Sequence, residues 1–214
     1  MDGTCNFVGA LLARNSGSSC TLENMFHSAR LPPLMLVTLM LVPIHARAAD
    51  AVLPIERFIK VDDRLFRGAQ PDVEGFKYLR DLGIRTIINL RLAKDAERLN
   101  EREIVESLGM KYVNIPIEDG NFFTRSRRIP PEAIESFFQT IDAESGTVFV
   151  HCHRGADRTG ALVSFYRIVR HNWDSARAYA EARQIGMRSW YKGLQKQIEE
   201  FGRQPPVAFI SPPR

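Results

Sequence analysis

From Asp50 onward the apolar residues fall into two alternating rhythms. Short runs rich in β-branched residues, "IRTIINL" (84–90), "KYVNIPI" (111–117) and "TVFVHC" (147–152), predict strands buried on both faces. Between them the apolar positions recur every three or four residues. Asp72 caps a helix that runs to about Leu82 and is ended by Gly83, and a second helix from about Asp95 to Leu108 stops at Gly109. "PEAIESFFQTID" (131–142) opens on proline and places Ile134, Phe137, Phe138 and Ile141 on one helical face. Three more helices are predicted, from about Thr159 to His171, Asp174 to Gln184 and Trp190 to Phe201. "VDDRLFRGAQP" reads as a short extended segment and a turn marked by Gly68 and Pro71, and "EDGNFFTRSRRIP" (118–130) as a loop. The proline-rich tail, 203–214, has no period and is expected to be an extended strap or disordered. Strands alternating with helices specify an α/β domain, residues 49–202, with a central, mostly parallel sheet flanked by helices.

The segment before this domain follows other rules. Arg30, an apolar stretch from Leu34 to Ile44, and the small-x-small triplet Ala46-Arg47-Ala48 stand in the order of a secretory signal, which assigns residues 1–48 to a signal-peptide region. The stretch is shorter than the roughly 20 residues a membrane span needs. "NSGSSCTLEN" is no ordinary n-region whereas "MFHSARLPP" is, so the true start is expected at Met25. An exported, periplasmic protein beginning near Ala49 is the expectation, anchored on the inner membrane and facing the periplasm if the signal stays uncleaved. No membrane span is expected after cleavage.

Composition narrows the function. The 214 residues are 44% hydrophobic and 25% charged, values of an ordinary globular chain, and the net charge of +4 comes from 29 basic and 25 acidic residues that are interspersed. No basic stripe with interleaved aromatics is present, so a nucleic-acid partner is not expected. Of the 3 cysteines, Cys5 and Cys20 precede the signal, which leaves Cys152 alone in the mature chain, unable to form an internal disulfide. Nothing in the sequence calls for a metal or a cofactor.

Cys152 opens the stretch that carries the chemistry, "HCHRGADRTG" (151–160). In an open α/β sheet the productive crevice lies beyond the carboxyl ends of the strands. The amides of His153, Arg154, Gly155, Ala156, Asp157, Arg158 and Thr159 can curl around one point there, with a helix N-terminus behind them, and bind a tetrahedral oxyanion such as phosphate. A thiol at the bottom of that nest favours its nucleophilic thiolate form. Arg158, six residues on, can return over the loop and grip two phosphate oxygens with its planar fork. Thr159 can donate its hydroxyl to the sulfur as it leaves. His151 points opposite to Cys152 and is read as a buried organiser of the loop. Asp157 beside a phosphate would repel it, so its side chain is expected to point away and hold Arg158, Arg154 or Arg91.

This signature, His-Cys, five residues, Arg, Thr, Gly, resembles that of the cysteine-dependent protein tyrosine phosphatase superfamily in every fixed position. The bacterial dual-specificity-like branch is most similar: "LFRGAQP" resembles its Phe-Arg-Ser-Gly-Gln-Pro turn, with Gly68 and Ala69 where Ser and Gly are more usual, and the likeness extends from Phe58 to Phe201. The resemblance implies Cys152 as nucleophile, Arg158 as the phosphate-binding arginine and Thr159 as the residue aiding breakdown of the intermediate. It also implies an acid on a loop about thirty residues before the cysteine. Asp119, 33 positions upstream, is favoured for that proton, with Glu118 as its rival and a plain turn carboxylate as the alternative to both. His153, Arg154 and the "TRSRR" run (124–128) are candidates for a basic substrate rim, and Phe122 and Phe123 for flanking an aromatic ester or filling the core.

The reading is therefore a phosphatase that hydrolyses phosphomonoesters through a cysteinyl-phosphate, with phosphotyrosine or phosphoserine/threonine of proteins as the first expectation. Phosphoinositides or other small polyanionic phosphates are the alternative. Two further alternatives are a phospho-ligand binding module without turnover and a rhodanese-like sulfurtransferase, against which the arginine six residues on and the "RTG" helix start both argue.

Overall fold

A computed structural model describes residues 54–120, 123–124 and 126–210. The expected signal region and the tail beyond 210 lie outside these residues, and among those described no helix is long and apolar enough to cross a membrane.

Five strands form one sheet in the order β1-β2-β5-β3-β4. The β1 strand (Ile59–Lys60) pairs antiparallel with β2 (Leu65–Gly68). The fifth strand, β5 (Thr147–His151), lies parallel between β2 and β3 (Ile84–Asn89), and β4 (Lys111–Asn114) runs parallel at the far edge. Central parallel strands are covered on both faces, which is why they are continuous apolar runs. Along β5, Val148 and Val150 face one core while Phe149 faces the other. The first core is closed by α4 (Pro131–Ala143), α5 (Asp157–His171), α6 (Ser175–Ile185) and α7 (Lys192–Arg203), the second by α1 (Val73–Asp81) and α3 (Glu101–Ser107). Phe149 is fully buried among Phe76, Ile87 and Phe58, and its truncation to alanine is expected to cost about 3–5 kcal/mol.

The α1 helix starts as its sequence requires, with the Asp72 carboxylate accepting the Gly75 N–H at 2.7 Å, and Gly83 leaves it at φ +84. Four boundaries differ from expectation. The helix over 95–108 is two, α2 (Ala93–Glu97) and α3, because Asn100 takes a left-handed backbone at φ 49, which asparagine tolerates better than most residues. Regular pairing of β4 ends at Asn114, not 117, since Pro116 has no N–H to give, although Ile115 and Ile117 still donate to Asn89 and Leu90. The α5 helix begins at Asp157, two residues before Thr159. The tail is neither extended nor structureless through 210. Gly202 and Arg203 complete α7, and after Pro205-Pro206 a short α8 (Val207–Ile210) stacks Phe209 on Phe138 at 4.6 Å while Arg170 donates to the Phe209 carbonyl at 2.7 Å.

Candidate active site

The β5 strand delivers His151 and Cys152 to opposite sides of the sheet edge, His151 against Phe76 and Phe149, Cys152 into the core covered by α5. Cys152 is 2% exposed, the first residue beyond the strand and the floor of the loop that leads to α5. Gly155 turns that loop at φ +66 and lies so close to the preceding strand's turn that a Cβ would meet the Gly68 carbonyl at 2.3 Å and the Ala69 nitrogen at 2.5 Å. The turn after β2 thus serves as a template for the loop. Arg67 donates to the Gly155 carbonyl at 2.6 Å, and the Gln70 N–H donates to the His153 carbonyl at 3.2 Å.

The N-terminus of α5 has no side-chain cap. Ala156 occupies the capping position, and its carbonyl accepts the Gly160 N–H at 3.0 Å. Helix-start amides without a capping oxygen form an anion site. Two buried polar atoms at this place, Arg158 Nε and Thr159 Oγ1, have no hydrogen-bond partner among the described residues, although Thr159 is fully buried. Such atoms are costly unless a ligand or solvent satisfies them. Arg158 is steadied from one edge, its Nη1 donating to the carbonyls of Ile117 (3.0 Å) and Leu90 (3.4 Å), while Nη2 lies 3.4 Å from Asp119 Oδ2.

Of the two rival acids, only Asp119 is brought to this place. Its other oxygen accepts the Gly120 N–H at 3.0 Å, and together with Arg91, His153 and Arg158 it lines a cavity of about 120 Å³. Glu118 turns out to solvent and pairs with Arg127.

Comparison with known proteins matches this assembly to one family. Residues 56–200 match the family described as "DSP-PTPase phosphatase fused to NAD+ Kinase". The chain belongs to this dual-specificity phosphatase family. Among curated relatives it is similar to inositol diphosphatase DSP5 of Arabidopsis thaliana, 26% identical over 153 residues that cover 71% of this chain and 72% of that protein. It is also similar to dual specificity protein phosphatase TpbA of Pseudomonas aeruginosa, 26% identical over 140 residues covering 64% of this chain and only 58% of TpbA. Among solved structures, the catalytic domain of the PP-IP phosphatase SIW14 from S. cerevisiae has the same fold, with TM-score 0.60, 23% identity, and coverage of 72% of this chain and 90% of that one.

Beneath its phosphate loop the phosphatase holds groups that sequence reasoning left without a role. Arg67 is 1% exposed; burial pulls its guanidinium down to about 10, and its electrostatic interaction with Cys152 works against that shift. A charged residue inside the apolar run "LFRG" was the available signal. On the opposite side, the His151 ring nitrogen Nε2 lies 2.9 Å from Glu101 Oε1, and Glu101 Oε2 accepts from Gln70 (2.7 Å) and Asn89 (2.8 Å). His151 is thus fully buried, as expected, and held by a carboxylate. Nothing in the sequence marked Glu101, the first residue of α3, as its partner. Burial and the Glu101 charge raise the neighbouring Tyr112 hydroxyl to about 12, and that hydroxyl accepts from Asn89 at 3.0 Å.

Three expectations need correction. Asp157 does point away from the phosphatase cradle, but it holds neither Arg158, Arg154 nor Arg91. Its carboxylate takes the backbone N–H of Arg188 at 2.9 Å and its guanidinium at 3.0 and 2.7 Å, a contact 31 positions distant that no local pattern announces. The two described arginines of the "TRSRR" run are not a free basic rim, because Arg127 is paired with Glu118 and Arg128 with Glu200. Phe123 is 92% exposed and does not plug the core; Phe122 and Arg125 lie outside the described residues. Other basic residues lie beside the loop. His153 and Arg154, with Arg91 and Arg98, line a groove of about 760 Å³ that also carries Glu56, Asp72 and Asp95.

Proposed function

We propose that this phosphatase acts on small polyanionic phosphates of the inositol phosphate or phosphoinositide class, through Cys152, Arg158, Thr159 and Asp119. The observation that carries the substrate class is the groove running from His153 past Arg154 to Arg91 and Arg98. Arg98 and Arg154 make no ion pair among the described residues, whereas Arg91 is paired with Asp95, Glu56 with Arg57, and Asp72 caps α1, so these two guanidiniums are the groove's candidates for a second anionic group beside the scissile phosphate. Two of the similar proteins, an inositol diphosphatase and a PP-IP phosphatase, carry names of this class. The second reading, a phosphoprotein substrate, is favoured by the similarity to TpbA, named a dual specificity protein phosphatase.

In the proposed reaction the Cys152 thiolate attacks phosphorus and the bond to the leaving oxygen breaks. Amides of residues 153–158 and the Arg158 fork hold the equatorial oxygens as charge builds on them. The arriving dianion competes with Asp119 for the Arg158 guanidinium, and Asp119 enters the step carrying its proton. Asp119 then gives that proton to the leaving oxygen. In the second step water attacks the cysteinyl-phosphate, Asp119 takes the water's proton, and Thr159 Oγ1 donates to the departing sulfur. Phosphate is released and the thiolate restored.

The test is release of inorganic phosphate from three substrate sets under one condition: phosphotyrosyl and phosphoseryl peptides, soluble inositol polyphosphates, and phosphoinositides in vesicles. Higher kcat/KM on the polyanions, lowered at least tenfold by Arg98→Ala with Arg154→Ala but unchanged by them on a simple aryl phosphate that has no second anionic group, is the expected result. Preference for the peptides, insensitive to these changes, overturns the substrate class and installs the second reading.

A further inference from the structure

The loop bearing Asp119 is fastened to the phosphate loop by residues of neither. Tyr191, in the connection between α6 and α7, is 3% exposed and donates its hydroxyl to the Gly120 carbonyl. Its ring edge lies where a side chain at 120 would begin, since a Cβ there would meet Cε1 at 2.4 Å. Glycine at 120 is thus the residue that lets the ring reach the backbone next to Asp119. The Arg188 guanidinium lies over the same ring, 4.8 Å from its centroid. Arg188 is in turn gripped by Asp157, which immediately precedes Arg158. The fork of an arginine on a carboxylate is a fixed geometry, and a cation over a tyrosine face adds attraction. Further along, the loop rests on α7: Gly193 leaves no room for a Cβ against the carbonyls of Ser126 and Arg127, and the Gln197 carboxamide exchanges two hydrogen bonds of 2.8 Å with the Ile129 backbone.

We infer that Tyr191 and Arg188 are positioning residues, a latch that sets where Asp119 stands relative to Cys152 and Arg158, so that protonation of the leaving group, and not phosphate binding, depends on the Tyr191 hydroxyl. The inference rests on the reading of Asp119 as the acid. Neither latch residue needs to touch substrate. The Tyr191 hydroxyl meets a main-chain carbonyl one residue from the acid, and Arg188 is occupied by Asp157. Loss of one hydrogen bond and a small displacement of the acid from its productive place set the scale, about 5-fold to 10²-fold in rate.

The experiment is a double-mutant cycle of Tyr191→Phe and Asp119→Asn, measured as kcat/KM on two esters, phenyl phosphate with a poor leaving group and 4-nitrophenyl phosphate with an acidic one, alongside orthovanadate binding. Tyr191→Phe is expected to slow phenyl phosphate about tenfold, to leave 4-nitrophenyl phosphate within about twofold, to leave vanadate affinity unchanged, and to add nothing once Asp119 is Asn. Arg188→Lys, which keeps the charge but not the fork, is expected to show the same selective loss and serves if the first variant does not fold. Equal slowing of both esters, or full loss persisting in the Asp119→Asn background, overturns the latch while Asp119 stands. An Asp119→Asn variant without any dependence on the leaving group overturns the acid and the latch together.

Discussion

Adding one methyl group at Gly155 tests the geometry on which the cradle depends. The residue holds φ +66, a backbone that costs an L side chain roughly 1–3 kcal/mol. The new Cβ would stand 2.3 Å from both the carbon and the oxygen of the Gly68 carbonyl and 2.5 Å from the Ala69 nitrogen. These are main-chain atoms of a strand end paired to β5 and cannot swing aside like a long side chain, so overpacking adds roughly 1–3 kcal/mol. The loop must then lift from the β2 turn, stretching the 2.6 Å bond from Arg67 to the Gly155 carbonyl and tilting the amides that face phosphate. If about 2 kcal/mol of this falls on the cradle, oxyanion affinity drops by about 30-fold. The remainder appears as lost stability, a few degrees in melting temperature for a domain of this size. Titration calorimetry with orthovanadate and a thermal melt of Gly155→Ala read the two parts separately. A variant that melts with the parent and binds vanadate with parental affinity refutes the template argument, because the methyl group has then been accommodated without moving either backbone.

Cys152→Ser is expected to abolish turnover while vanadate or phosphate binding survives within about tenfold, since the amides and Arg158 remain; equilibrium binding checks it. Asp119→Asn should cost about 10² to 10⁴ on a tyrosyl or alkyl phosphate and far less on an ester with an acidic leaving group, whereas Glu118→Gln, already paired outward with Arg127, should cost little on either. Asp62 has its carboxyl held below the ordinary range: burial works against this, but the N–H groups of Arg64 and Leu65 and the His171 ring outweigh it. A carboxyl lowered by folding stabilises the protein above its unfolded value near 4 and loses that contribution as pH falls through the folded value, so Asp62→Asn should flatten the acid side of a melting-temperature profile and lower its neutral plateau. If the segment Arg30–Ala48 is a cleaved signal, mass spectrometry of the exported protein finds an N-terminus near Ala49; a product retaining Leu34–Ile44 indicates an anchor.

The layer order and the nucleophile were legible because both are local. A β-branched run ending in His-Cys, and a glycine-rich turn opening a helix, fix Cys152, Gly155 and Arg158 within ten positions of each other. The family resemblance pointed to Asp119 through its distance from the cysteine, and its place beside Arg158, with Glu118 turned outward, needed the direction of two neighbouring side chains. What the pattern did not contain were partnerships between distant segments. Glu101 looks like any first-turn acid until His151 is placed beside it, 50 positions on. Arg188 and Tyr191 sit in an unremarkable connection, and only the packing of α7 brings them to the acid loop. The basic run at 124–128 misled for the complementary reason: charges adjacent in sequence are neutralised by acids that are not.

The contact between Gly68 and Gly155 also constrains how such a domain drifts or can be rebuilt. Two backbones from segments 87 positions apart share a space that excludes a methyl group on Gly155, and a Cβ on Gly68 would meet the side chains of Ile55 and Phe149 at 2.9 Å. Position 155 therefore cannot gain a side chain by itself; the strand end at 68–69 must retreat in the same lineage. Across homologous chains the two sites should vary as a pair. Anyone grafting the ten-residue loop onto another sheet would have to transplant the Arg67–Gln70 turn with it, because the loop on its own carries only half of the mould that shapes it.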